Sequence, residues 1–177
     1  MRSVSKSERD VHPAQVYRRL FVPSATDALT RIHGEMDAAV RYVISSTWRK
    51  LFSREQLEVV FRRAGIGFAA DRLHEGEKWR TPPQFGRSQR IHEIAEWLDR
   101  HHQGEPFAIV ADTFSGASLM PALMAASNVP APGHSGSEAP HPFAGRVVLC
   151  EENVGLTGDH VAFIVAALRR PVPSVPK

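Results

Sequence analysis

Residues 107–111 read Phe-Ala-Ile-Val-Ala, apolar without a break. A strand with one wet face alternates apolar and polar residues. A continuous run has no face to give to water and needs cover on both sides. Two further short runs behave alike: Tyr42-Val43-Ile44 and Val147-Val148-Leu149-Cys150. Strands buried on both faces belong to parallel sheets, whose crossover connections are helices. The segments between the runs supply those helices. Ala28, Leu29, Ile32, Met36 and Ala39 recur at helical spacing, as do Ile91, Ile94, Ala95 and Leu98, and Val161, Ile164, Val165 and Leu168. The expected fold class is therefore α/β, a doubly wound, mostly parallel sheet.

Local signals set the boundaries. Pro23-Ser24 opens the first helix, with Ser24 as its cap and Asp27 three residues on. Ser53-Arg-Glu-Gln56 repeats that box before Leu57, Val60 and Phe61, and the helix ends at Ala64-Gly65. Residues 66–70 read as a short strand and residues 74–88 as a loop. Residues 90–101 form a helix, residues 118–127 a short one with Pro121 near its start, and Thr157 caps a last helix over 159–170. Residues 15–22 (QVYRRLFV) suit either a strand or a helix start. We expect a flexible arm over 1–13, one domain over 14–170 with a Pro/Gly/Ser-rich insertion at 128–142, and an extended tail over 171–177.

Bulk properties exclude several classes. No apolar stretch approaches the roughly 20 residues that span a bilayer, and the first residues lack the apolar middle of a secretory signal. A cytoplasmic protein without membrane contact is expected. The single cysteine, Cys150, ends an apolar run and reads as a buried strand residue. The net charge of +3 does not by itself imply nucleic acid. Nine histidines show no metal-ligand spacing, and the chain has no Walker loop and no Gly-x-Gly-x-x-Gly.

In covered parallel sheets, ligands bind at the carboxyl ends of the strands. Those ends carry Ser45-Ser46-Thr47, Asp112-Thr113 and Glu151-Glu152-Asn153. The three consecutive hydroxyls suit a phosphate or serve ordinary strand-end capping. Arg49 is an anion contact or a solvated charge, Trp48 a packing residue before a stacking platform. Asp112 caps a turn or holds a metal. Arg90 binds phosphate or pairs on a helix surface.

The order Ile44-Ser-Ser-Thr-Trp-Arg49, then Arg90-x-x-Glu93-Ile94-x-x-Trp97-Leu98, then an apolar strand ending in Asp112, then Gly155-Leu156-Thr157 at a helix start, resembles the haloacid dehalogenase superfamily. Within it, the likeness is to the small domains associated with Swiss Army Knife RNA repair proteins, over about residues 20–170. The resemblance implies a Rossmann-like fold and Mg²⁺-dependent phosphoryl transfer. It implies that Ser45 or Ser46 matches the second motif, whose hydroxyl holds the phosphoryl group, with Thr47 and Arg49 beside it. Arg90, or Arg87 nearby, stands at the third motif's cation, and Asp112 at the fourth motif's metal ligand. Such donors and cations are what a phosphoryl transition state needs around its oxygens, and carboxylates are what Mg²⁺ needs.

One departure outweighs these matches. The family begins with a strand ending in Asp-x-Asp, which supplies nucleophile and general acid, and this chain contains no Asp-x-Asp. Asp27, Glu35 and Asp37 fall on the first helix, and Asp10 follows no apolar strand. The first central strand of the sheet is thus expected to be missing or replaced. Residues 16–22 are the local candidate, at the cost of placing Arg18-Arg19 between covered faces. The expectation is a phosphohydrolase-type domain with an incomplete site, binding a phosphate ester or anion and weakly active or inactive. The alternatives are a catalytically dead binding module, or a shortened Mg²⁺-dependent phosphatase acting on nucleotides or nucleic-acid ends. A sheet with a gap is also expected to pair with another chain, as a homodimer.

Overall fold

The structure, a computed structural model, describes residues 20–37, 39–82, 90–127 and 141–172. In chain order the helices are α1 Pro23–Glu35, α2 Trp48–Leu51, α3 Arg54–Arg63, α4 Gly67–Asp71, α5 Arg90–His101, α6 Met120–Ser127 and α7 Gly158–Arg169. The strands are β1 Ile109–Asp112 and β2 Val147–Cys150. Short 3₁₀ turns cover Gly76–Trp79 and Ala117–Leu119.

β1 and β2 pair in parallel, with Ile109 opposite Val147 and Asp112 opposite Cys150. A second strip of parallel pairing lies elsewhere. Tyr42 bridges Leu73 and Ile44 bridges Arg80, so the Tyr42-Val43-Ile44 run, expected as a strand, makes only isolated bridges among the described residues. The α/β class holds, with a two-stranded sheet among the described residues.

Three apolar clusters fill the interior. The first gathers α3, α4 and the 3₁₀ turn around Leu57, Ile66, Leu73 and Trp79, with Tyr42 and Ile44 against it. The second packs α1 on α7 and β2, through Ile32, Val148, Val161 and Ile164. The third sets Ile94 of α5 against Ile109, Leu119 and Val147. Cys150 is buried and unpaired, as its position in an apolar run implies.

Several boundaries differ from expectation. The cap of α1 is Val22, with Pro23 in the first turn and no side-chain cap; Ser24 lies inside the helix. Proline at a helix start gives up an N–H that has no partner there anyway, so no serine cap is needed. Residues 66–70 are not a strand: after a left-handed Gly65 (φ +87°), Ile66 is the N-cap of α4 and residues 67–70 lie in that helix. The loop over 74–88 carries the 3₁₀ turn and the Arg80 bridge. Ser53 caps α3 as expected, its hydroxyl 3.3 Å from the N–H of Gln56 and its own N–H donating to Gln56 Oε1 at 2.9 Å. At α7 the N–H of Thr157 donates to His160 Nδ1 at 3.1 Å.

The arm at 1–13, Asp10, Arg87 and residues 128–140 of the insertion lie outside the described residues. No helix among the described residues is long and apolar enough to cross a membrane.

Candidate functional site

The turns that leave residues 41–45 and β1 meet at one place. The first turn is short, because α2 begins at Trp48 and ends at Leu51. Trp48 packs edge-on against Phe21 (5.5 Å between centroids) and Phe52 (5.9 Å), which is the packing role. With Trp48 facing that aromatic group, the next residue, Arg49, turns inward.

Arg49 is 4 % exposed. Its Nη2 lies 2.6 Å from Glu93 Oε1 of α5, and Glu93 is buried as well. Its Nη1 donates to the carbonyl oxygens of Ser45 and Ser46, 2.8 Å for Ser46. Its own carbonyl accepts from Arg80 Nη1 at 3.3 Å. One guanidinium thus pins the hydroxyl-rich turn to α5. A buried ion pair of this kind is tolerated only when hydrogen bonds satisfy the remaining donors, and among the described residues one donor is left over, Arg49 Nε.

The second turn is set by Asp112. Its Oδ1 accepts from the N–H of Ser115 at 2.7 Å and its Oδ2 from the Ser115 hydroxyl. This is an aspartate-capped turn. Burial pushes the Asp112 carboxyl up, but the hydrogen bonds from Ser115 outweigh it and hold the group below its usual range. The turn closes at Gly116, where an added Cβ would lie 2.7 Å from the Asp112 carbonyl oxygen and 2.6 Å from Leu149 Cδ2. Only a glycine fits that approach.

Between the two turns and the start of α5 is a pocket of about 180 Å³. It is lined by Thr47, Arg49, Lys50, Arg90, Glu93 and Ser115. Arg90 is half-buried, and its Nη1 is buried with no hydrogen-bond partner among the described residues. Burial, and then the neighbouring Arg49, push the Arg90 guanidinium below its ordinary value. With Arg49 neutralised by Glu93, the pocket keeps two cationic side chains, Lys50 and Arg90. It also has two hydroxyls, Thr47 and Ser115. That is a donor set with a net positive charge, suited to an oxyanion.

The expected site residues do not all meet here. Thr47, Arg49 and Arg90 line the pocket. Ser45 lines a separate, larger cleft, and Ser46 is exposed. Asp112 borders the pocket through its partner Ser115. Lys50, Glu93 and Ser115 were not among the expected site residues. Asp112-x-x-Ser115 is a readable turn signature. Nothing in the sequence marks Glu93 as the partner of Arg49, 44 positions away.

The donor set does not make a Mg²⁺ site. Mg²⁺ asks for several oxygen ligands in octahedral array. Asp112 is one carboxylate with both oxygens already engaged, and the described residues contain no group of three or more His, Cys, Asp or Glu able to hold a metal.

No curated protein and no solved structure matches the chain. A family model does, over residues 2–161, and its span takes in both turns, α5 and the pocket between them. By that match the chain belongs to the family described as the HAD domain in Swiss Army Knife RNA repair proteins.

Proposed function

We propose that the pocket between the two turns binds the phosphate of a phosphate ester, and that the chain binds such groups without hydrolysing them efficiently. The observation that carries this reading is Arg90 Nη1, buried without a partner among the described residues at a pocket that also holds Lys50, Thr47 and Ser115. A buried, unsatisfied guanidinium donor costs free energy that an incoming oxyanion recovers. Arg49 acts here as the pin that holds Ser45, Ser46 and Thr47 in place. Ser45 and Ser46 shape the turn through their carbonyls, and Thr47 with Ser115 supplies hydroxyls to the bound oxygens.

The family supports a phosphohydrolase-type origin for this pocket. The chain's own residues support binding over turnover, because it has no Asp-x-Asp and Asp112 is tied into its turn. The family's description makes a nucleotide or a nucleic-acid end the substrate class to test first. We further propose that the sheet is doubly wound and Rossmann-like, with residues 41–45 and β1–β2 as parts of it. The pocket then stands at the carboxyl ends of its strands, where such sheets bind ligands.

Titration calorimetry with inorganic phosphate tests the reading. Wild type should bind, and Arg90→Ala should weaken binding about 10- to 100-fold, the worth of one charge-assisted hydrogen bond to a buried donor. Equal affinity in both proteins would rule the pocket out. In parallel, an aryl phosphate assay with Mg²⁺ should give background turnover in wild type and in Asp112→Asn. Turnover in wild type that Asp112→Asn abolishes would replace this reading with an active phosphatase.

A further inference from the structure

The pocket accounts for the phosphate of a bound ester, not for the group the phosphate is attached to. All of its lining residues are polar or charged, so an organic group finds no apolar wall there. The larger cleft, about 340 Å³ between residues 41–45 and β1, shares no lining residue with the pocket and offers no place for the rest of the ester. That rest lies over the rim, and the rim carries the most exposed apolar side chains. Phe114 is 84 % exposed, more than any other large apolar residue described, and Leu51 follows at 66 %. Each is the direct neighbour of a lining residue, Phe114 of Ser115 and Leu51 of Lys50. Consecutive Cα atoms are about 3.8 Å apart, so both side chains start beside the pocket, one from each turn.

A single exposed apolar side chain is ordinary. Phe114 differs in how it is held. The Ser115 N–H donates to Asp112 Oδ1 at 2.7 Å, and the Gly116 N–H to the Asp112 carbonyl at 2.8 Å. Before the tip, the Thr113 N–H donates to the Cys150 carbonyl at 3.0 Å. Asp112, Ser115 and Gly116 thus supply the turn's own chemistry. Position 114 is its tip, where Gly, Asn, Asp or Ser would serve the backbone better. The backbone on both sides of the ring is fixed, and a phenylalanine has only two side-chain torsions to settle when a ligand lands. Trp48, the aromatic of the other turn, packs against Phe21 and Phe52 instead.

We propose that Phe114 is the specificity-determining residue of this site, a platform on which the base of a nucleoside phosphate stacks. The phosphate then sits among Thr47, Lys50, Arg90 and Ser115. A nucleotide fits this division better than an aryl phosphate does. In an aryl phosphate the ring is bonded to the phosphate oxygen itself and starts among polar walls. In a nucleotide a sugar separates the two, so the base reaches the rim while the phosphate stays on the floor. A phenyl ring has no donor or acceptor to match to a base edge, so the platform selects for a base without reading which one. This inference rests on the phosphate pocket proposed above and adds what the bound ester carries.

Titration calorimetry on the full chain tests it with three probes: inorganic phosphate, ribose 5-phosphate and adenosine 5′-monophosphate. Wild type should bind the nucleotide about 5-fold or more tighter than ribose 5-phosphate, the lower end of what one stacked base contributes. Phe114→Ala should bring the nucleotide down to the level of ribose 5-phosphate and leave the other two probes unchanged. Phe114→Trp should keep the preference. Phe163→Ala, which removes the other exposed phenylalanine described, should change nothing. At its exposure Phe114 fills no core, so its loss leaves the fold in place. If ribose 5-phosphate binds as tightly as the nucleotide, the platform is overturned and the phosphate pocket stands. A preference that survives Phe114→Ala has the same meaning. If phenyl phosphate matches the nucleotide in wild type and loses as much in Phe114→Ala, the platform serves aryl phosphates and the nucleoside assignment is overturned. No binding of inorganic phosphate, with nucleotide affinity the same in Arg90→Ala as in wild type, would overturn the phosphate pocket and this inference with it.

Discussion

Arg49 stands between a tryptophan and a lysine in a stretch that reads as a surface turn, yet it is buried against Glu93. Removing one partner of a buried pair leaves the other charge uncompensated, at about 3–5 kcal/mol. Arg49→Ala and Glu93→Ala should each lose that much in urea unfolding, whereas Arg49→Met with Glu93→Leu should lose far less than the sum. Additive losses would show that the two side chains do not act as a pair. The residue types of this site are legible in the sequence, and their roles are not. A charged residue after Trp48 carries no mark of which way it points. That is decided when Trp48 joins Phe21 and Phe52 and rolls the short helix. Asp112 was more legible, because aspartate three residues before serine is itself a turn signal. Its carboxyl is held below the ordinary value of 3.8 by Ser115. Its contribution to stability is therefore present above that value and is lost as pH falls through the folded-state pKa. Ser115→Ala removes the hydroxyl donor and should raise the Asp112 pKa in an NMR titration. The stability gap between wild type and Ser115→Ala should be full at neutral pH and close as pH falls below about 4. A gap that stays constant down to the acid transition would mean that Ser115 acts through packing alone.

At the scale of elements, two serines before helical segments looked alike and are not. Ser53 makes the reciprocal box with Gln56. Ser24 sits one residue inside α1, behind Pro23, and caps nothing. Ser53→Ala should cost about 1 kcal/mol, the usual worth of an N-cap, and Ser24→Ala should cost close to nothing. Equal losses in chemical denaturation would contradict the cap assignment. The helix that ends at His101 is legible in the sequence, because its apolar positions recur over three turns. Residues 66–70 were not. An apolar run of that length fits a strand or one helical turn equally, and periodicity cannot separate them. Left-handed Gly65 turns the chain there, and Ala69 and Ala70 then fill the first cluster from a helix. The Tyr42-Val43-Ile44 run reads as a buried strand, whereas in the structure it is half-buried and bridges at Tyr42 and Ile44 alone among the described residues. Leu73 and Arg80, which flank a 3₁₀ turn, offer it one bridge each.

Taken whole, the molecule has two apolar regions on either side of the cleft. Residues 57–79 form one, and β1, β2 and their helices the other. Two helices join them. Leu29 of α1 packs against both the first and the second cluster. In α5, Ile94 belongs to the third cluster, while Trp97 Nε1 donates to the Lys78 carbonyl at 2.9 Å and Glu93 holds Arg49. Cooperative unfolding therefore depends on few side chains for a protein of this length, and local opening should follow the cleft. Trp48 and Trp79 both lie in the first region, so tryptophan fluorescence reports mainly on that region, and far-UV circular dichroism on the whole. In wild type the two urea transitions should coincide, the mark of a two-state molecule. Leu29→Ala with Trp97→Leu removes packing at one clamp and the cross-cleft hydrogen bond at the other. In that variant the fluorescence and dichroism midpoints should separate, and the dichroism curve should broaden. Leu57→Ala, a cavity of similar cost inside one region, should lower both midpoints without splitting them. Coincident transitions in every variant would mean that the regions are coupled by more than these helices.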